Sequence, residues 1–328
     1  MQIMRIPMSC IALLLLTYTS SSMRADDGAA AVAAGGLVLM KREPRIVMAK
    51  EVLKISTTNV TVDYEFRNDS DQNITTVVAF PVPTYGLNEY AYTGVDHQTL
   101  DDFQLTIDGA PRKFSTEMRA LVNGHDVTAQ LQSEHIDIGS LGNFTDVTST
   151  DLTHVAPAKR QQLAAAGIFS SGATIEEMEP QWQVQKKYYW TQTFPAHRIV
   201  RIRHSYSPGT GGGVSLPLTE IDKDSREFVS SLCIDPALKG SILKSGGASF
   251  ENVDFILTTA NTWKTPIEDF TLIVDRTKHD DDDRALVSFC WDGPVIKIDP
   301  NHFSAHSTNL VPGKELRIGF IHPYTAKK

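Results

Sequence analysis

Histidines, carboxylates, glycines and cysteines are weighed first, because their spacing decides which reactions they could share. His302 and His306 stand four apart, the spacing that lets two imidazoles on one helix face share a zinc ion. Phe303, Ser304 and Ala305 lie between them, so the glutamate that would activate water is missing. The surroundings are also rich in strand signals, and a strand keeps residues at that spacing apart. Gly209 to Gly213 is glycine-rich, yet no Lys-Ser/Thr follows and no helix pattern begins there. It reads as a flexible turn. Gly167 to Gly172 (GIFSSG) lacks the spacing of a G-x-S-x-G nucleophile elbow. His279 and Asp280 to Asp283 offer oxygen ligands for a hard cation, but an unbroken acidic run lacks the alternating ligands and glycine of a calcium loop. It reads as a solvated hairpin tip. Glu134 with His135, and His125 with Asp126, are neighbours that would point to opposite faces of a strand. His204 shares a strand face with Val200, Ile202 and Tyr206, where a lone histidine is expected to be half-buried and hydrogen-bonded. The residues therefore name no catalytic group, no cofactor-binding group and no metal ligand, and no cofactor is expected.

Cysteine chemistry is more definite. Cys10 lies near the N-terminus, which leaves Cys233 and Cys290 as a pair. Neither sits in a C-x-x-C motif, so a disulfide is expected. A bridge closing a loop of roughly sixty residues would stabilise the fold by about 4 kcal/mol on the chain-entropy estimate.

The elements that must position these residues read as strands. Val60, Val62, Tyr64 and Phe66 alternate with Thr61, Asp63, Glu65 and Arg67, the period-2 pattern of a strand with one buried face. A polar turn, Asn68 to Asn73, leads to a second alternation through Ile74, Thr76, Val78 and Phe80, ended by Pro81 and Pro83. Phe103 to Ile107 alternates again, and Asp108-Gly109 closes it with a strong hairpin signal. Strands return at Val184–Phe194 and Val200–Tyr206. Shorter ones are expected at Phe255–Thr258, Phe270–Asp275, Ala285–Cys290, Val295–Ile298 and Leu316–Ile321. Between them, Pro157 to Ala166 is a run of helix formers stopped by Gly167. Thr174 to Glu177 fits a capping box opening a short helical turn.

Arg5 followed by Ile11 to Leu16 (IALLLL) has the form of a signal peptide, with cleavage expected after Ala25. Loss of residues 1–25 removes two positive charges and lowers the formal net charge from −8 to −10. An acidic exported chain is a poor partner for nucleic acid, whose phosphates need Lys and Arg, and no later stretch is long enough to span a membrane. Asn59, Asn68, Asn73 and Asn143 begin N-x-Ser/Thr sequons, read here as strand and turn composition.

GGLVL near the mature start, VDYEFRNDSD, TTVVAFPVP, WQVQKKYYWTQTFPA, RIRHSYSP, TTANTWKTPIEDFTLIVD and VSFCW together resemble the bacterial family termed domain of unknown function 4424. That resemblance implies an exported bacterial protein and carries over no catalytic residue. VDYEFRN, FPVP and FQLTIDG also look like the β-sandwich module called VIT, without the D-x-S-x-S metal motif of its usual partner domain.

The expected fold is mainly β: two β-sandwich-like domains at 26–222 and 223–328, divided near Asp222, with a helical excursion at about 126–179 in the first. The expected protein is exported, periplasmic or extracellular, and serves as a non-enzymatic binding or structural protein of the cell envelope. Its partner would be an envelope protein or ligand, met through the Tyr85–Tyr92 loop or the Asp126–Glu179 excursion. The alternative is an envelope hydrolase whose groups converge only in three dimensions.

Overall fold

A computed structural model describes residues 27–32, 38–86, 100–139, 152–172, 174–213, 215, 223–277 and 285–324. The expected signal peptide, most of the Tyr85–Tyr92 loop, Asn143 and the His279–Asp283 run lie outside them. In chain order the first strands are β1 (Gly28–Val32), β2 (Val38–Met40), β3 (Ile46–Ile55), β4 (Val60–Asn68), β5 (Ile74–Pro81) and β6 (Tyr85–Gly86). There follow β7 (Gln104–Ile107), β8 (Ala110–Pro111), β9 (Ser115–Val122), β10 (His125–Asp126), helices α1 (Thr128–Ser133) and α2 (Pro157–Ala165), then β11 (Gln183–Phe194), β12 (Ile199–Tyr206) and β13 (Gly211–Gly213). Helices α3 (Lys223–Ser231) and α4 (Pro236–Lys244) precede β14 (Ala248–Phe255), β15 (Ile267–Asp275), β16 (Leu286–Phe289), β17 (Val295–Lys297), β18 (His302–Leu310) and β19 (Leu316–Pro323).

The chain is mainly β, as the alternations require. The opening hairpin is β4 and β5, but its strands enter different sheets. β4 lies in a sheet ordered β17-β18-β15-β3-β4-β12-β7-β8, and β5 lies in one ordered β10-β9-β11-β5-β1-β2, with β6 also on β11. The buried face of each strand is what separates them. Phe66 of β4 meets Phe194 of β11 at 5.8 Å between ring centroids, and Phe80 of β5 meets Tyr206 of β12 at 5.6 Å. Those pairs are layer-to-layer contacts of a sandwich. A third sheet, β13-β14-β19-β16, adds Val253, Phe255, Ile318 and Phe320 to the same core.

The expected division near Asp222 is not a boundary between sheets. β15 pairs in parallel with β3, Leu272 opposite Leu53, so late strands complete a sheet begun by early ones. Local alternation marks a strand but not its partner, which is why this pairing is invisible in the sequence. The glycine run is also more than a turn. Gly211–Gly213 forms β13 against β14, and a Cβ on Gly212 would lie 2.6 Å from the Phe250 carbonyl oxygen. Phe255–Thr258 differs as well: the strand ends at Phe255, and Thr258–Thr262 is a 3-10 turn.

The helical excursion builds its own small core. Leu131 of α1, Leu163 of α2, Ile168, Phe169 and Trp182 are buried together, with the Trp182 indole N–H donating to the Ile138 carbonyl at 3.3 Å. Gly167 ends α2 at φ +71°, a conformation that favours glycine. The expected helix at Thr174–Glu177 is a turn, in which Thr174 N–H reaches Glu177 Oε2 at 3.4 Å. Helices α3 and α4 were not expected. The start of α4 is nonetheless written in the sequence: Asp235 caps the Leu238 N–H at 2.8 Å and Pro236 occupies the first turn. Cys233, just past α3, is bonded to Cys290, just past β16. The bridge staples helix to sheet beside the α3–α4 core of Leu232, Ile242 and Ile321.

Candidate functional site

A cleft grows out of one hairpin and one corner. Asp108 and Gly109 hold φ +50° and +81°, as a two-residue turn of the primed type needs. The Asp108 carboxylate accepts the Arg201 N–H at 2.9 Å, and its own N–H donates to the Arg201 carbonyl at 2.8 Å. That pins the hairpin tip to β12. β8 is only two residues long and contains Pro111, so the sheet stops at this edge. Across from it, β11 runs to Phe194 and turns at Pro195 into β12, joining the two sheets. Ala196 N–H donates to Asn73 Oδ1 at 3.0 Å and holds the corner. Inside the corner the layers stand apart around a cleft of about 450 Å³.

Its apolar lining is Ile107, Pro111, Ile199 and Val200; its basic lining is Arg112 and Arg198. Both arginine side chains are exposed, and neither is ion-paired among the described residues. The Asp108 carboxylate on the same wall is already engaged by a backbone N–H. Gln192 completes the lining at 5% exposure. Its Nε2 donates to the Thr193 carbonyl at 2.6 Å, while Oε1 is buried and finds no donor among the described residues. Leaving such an acceptor unmet costs about 1–3 kcal/mol. The cleft volume is within the range of small-molecule sites.

A model of the family described as domain of unknown function (DUF4424) matches residues 25–318. The chain belongs to that family. No curated protein matches it. Among solved structures, this DUF4424 chain is similar to a Legionella pneumophila protein provisionally described as nutrient-binding, at 13% identity and a TM-score of 0.40. The alignment covers 90% of this chain and 72% of that one.

The residues singled out from sequence are dispersed in the DUF4424 structure. His302 and His306 lie on β18, where four residues span roughly 13 Å. His302 contacts Asp299 and Asp275, whereas His306 contacts Asp269 at 2.9 Å. Among the described residues no three His, Cys, Asp or Glu side chains gather as a metal would need. Glu134 is the C-cap of α1 rather than part of a strand, while His125 and Asp126 form β10. Asn68 is fully buried and donates to the Gln72 and Phe194 carbonyls, both at 2.8 Å, so its role is structural.

His204 is fully buried, not half-buried, because β12 lies inside its sheet and faces the second layer. Its Nε2 is 3.4 Å from Asp27 Oδ1. Rings of Tyr64, Phe80, Phe103 and Trp190 surround it with centroids at 4.9 to 5.6 Å. Burial lowers its pKa to about 3, which keeps the imidazole neutral. Asp27 is held in turn, since its carbonyl accepts the Trp263 indole N–H at 2.7 Å. A second histidine–carboxylate pair, His322 and Glu251 at 3.8 Å, borders a cavity of about 10 Å³, room for a water and no substrate. No helix among the described residues is long and apolar enough to cross a membrane.

Sequence reading missed Gln192, Arg112 and Arg198. A signal for one of them existed. Tyr188, Trp190, Gln192 and Phe194 share the inward face of β11, and Gln192 is the amide in that aromatic row. The arginines carried none, because their meaning depends on a corner and a hairpin more than eighty positions apart.

Proposed function

We propose that the chain is an exported, non-enzymatic binding protein of the cell envelope that takes a small ligand between β11 and the β7–β8 hairpin. The observation that carries this reading is the open cleft of about 450 Å³ where the β7–β8 hairpin meets the β11–β12 corner, with Arg112, Arg198 and Gln192 among its lining residues. The Cys233–Cys290 bridge supports an oxidising compartment, where disulfides persist. The apolar run Ile11–Leu16 supports export. Binding is placed ahead of hydrolysis because His204 and Asp27 are sealed among aromatic rings, where a substrate has no entry.

The test uses chain recovered from the exported fraction. N-terminal sequencing should begin at Asp26, and a chain that stays in the cytoplasm with Met1 intact would sink the export claim. A small-molecule library is then screened by thermal shift against the natural chain and Ala110→Trp, whose new side chain fills the exposed rim of the cleft. Hits that raise the Tm of the natural chain and leave Ala110→Trp unmoved support the reading. A library without hits, or hits that act equally on both, would overturn it.

A further inference from the structure

We propose that the β17 edge is a self-association surface, on which a second copy of this chain pairs its own β17 antiparallel across a two-fold axis. The proposal is independent of the cleft. β17 ends the eight-stranded sheet and is hydrogen-bonded on one side only, to β18. Such an edge presents unpaired backbone groups to any strand that can match it. Its side chains invite a match. Val295 and Ile296 of β17 and Ile298 just after it are 44%, 64% and 57% exposed, three large apolar groups within four residues. The other end of the sheet is closed differently, by a two-residue β8 that contains Pro111.

The ladder decides which backbone atoms are free. The Ile298 N–H donates to the His302 carbonyl at 2.9 Å, and Ile296 lies opposite Ser304. Antiparallel ladders alternate, so Ile296 and Ile298 face β18 while the N–H and C=O groups of Val295 and Lys297 point away from it. Three two-fold registers bring such outward residues together, centred on Val295, Ile296 or Lys297. The register centred on Lys297 sets two ammonium groups directly opposite each other, which is destabilising. The one centred on Val295 pairs Lys297 with Gly293, which lies outside the strand. The register centred on Ile296 pairs Val295 with Lys297 of the second copy, and the reverse, so no like charges meet. Each of those pairs exchanges both backbone hydrogen bonds, and Ile296 meets its own counterpart where side chains approach most closely. Ile298 falls opposite Pro294 and extends the apolar contact. Lys297 is the kind of residue that discourages edge pairing. Here it removes one register and leaves the self-complementary one. β17 is three residues long, so the contact is small and the dimer weak and reversible.

Sedimentation velocity on the full exported chain should show a monomer at about 10 μM and a substantial dimer fraction by about 1 mM. Lys297→Pro removes an outward N–H and leaves the bonds from Ile296 and Ile298 to β18 in place. It should weaken the dimer about tenfold or more. Ile296→Asp and Ile296→Lys should each be monomeric alone, and an equal mixture of the two should dimerise again. A loss of folding cannot mimic that rescue. Ile296→Cys should cross-link to itself under mild oxidation, whereas Val295→Cys should not, because in this register its counterparts lie too far apart for a disulfide.

A chain that stays monomeric at about 1 mM would overturn the second copy as occupant and leave the edge to a strand of different sequence. A dimer that Lys297→Pro leaves intact, or a mixture of the charged variants that stays monomeric, would overturn the placement on β17. Cross-linking through Val295→Cys and not through Ile296→Cys would overturn the register.

Discussion

His204 and Gln192 occupy equivalent kinds of place in the same sandwich, and the structure treats them oppositely. Each is a polar residue on the inward face of a strand whose neighbours are aromatic or aliphatic. His204 lies at the centre of the sheet packing, caged by four rings and facing Asp27 at 3.4 Å, with no space beside it. Gln192 lies where the layers part at the β8 edge, beside a cleft of about 450 Å³, with one atom unmet. Burial alone does not identify a functional polar group. The useful distinction is whether the residue lines space that a second molecule can enter.

Acid gives the largest test of that contrast. The folded-state pKa of His204 is depressed to about 3, while the unfolded imidazole titrates near its ordinary value. Between these values the unfolded chain binds more protons, so this group's contribution to stability is complete above about pH 6.5 and is lost as pH falls toward 3. The loss should approach roughly 4 kcal/mol. Denaturant melts across that range should show it, and His204→Phe should flatten the slope. An unchanged slope in His204→Phe would mean that the closed region does not govern acid stability.

His204→Ala should cost about 3 kcal/mol at neutral pH, because it opens a cavity among rings that cannot collapse onto it. Equilibrium unfolding measures this directly, and a cost below about 1 kcal/mol would show that the cage is loosely packed. Gln192→Met belongs at the other end of the scale. It removes both the unmet Oε1 and the Nε2 hydrogen bond to the Thr193 carbonyl at nearly constant volume, so the two effects oppose and stability should change by less than about 1 kcal/mol. A large loss would place Gln192 with His204 as a structural residue and erase the contrast. Ala110→Trp, on an exposed two-residue edge strand, should shift stability by no more than about 0.5 kcal/mol. Its Tm without ligand is the control for the binding screen.

What could be read from sequence follows the range of the interaction that decides it. β4, β5, β7, β11 and β12 were legible because two-residue alternation is local, and Asp108-Gly109 was legible because its turn needs two left-handed residues in a row. The start of α4 at Asp235-Pro236 was equally local and went unread. The placement of β15 beside β3, the complete burial of His204 and the meeting of Arg112 with Arg198 in one cleft depend on how distant strands stack. No local pattern encodes those relations. The disulfide is an instructive middle case: Cys233 and Cys290 are far apart in sequence, yet once Cys10 is set aside near the N-terminus they leave a single pairing to consider.

The parallel pairing of β3 with β15 also sets an order of events in time. β3 ends at Ile55 and its outer neighbour ends at Asp275, so one edge of β3 stays open until most of the chain exists. Closing so long a loop makes folding slow as well. For all of that time an alternating, half-apolar strand presents unpaired backbone groups to any other strand nearby. A partner that shields this edge of β3 until β15 arrives would raise the yield of folded protein without touching the finished molecule.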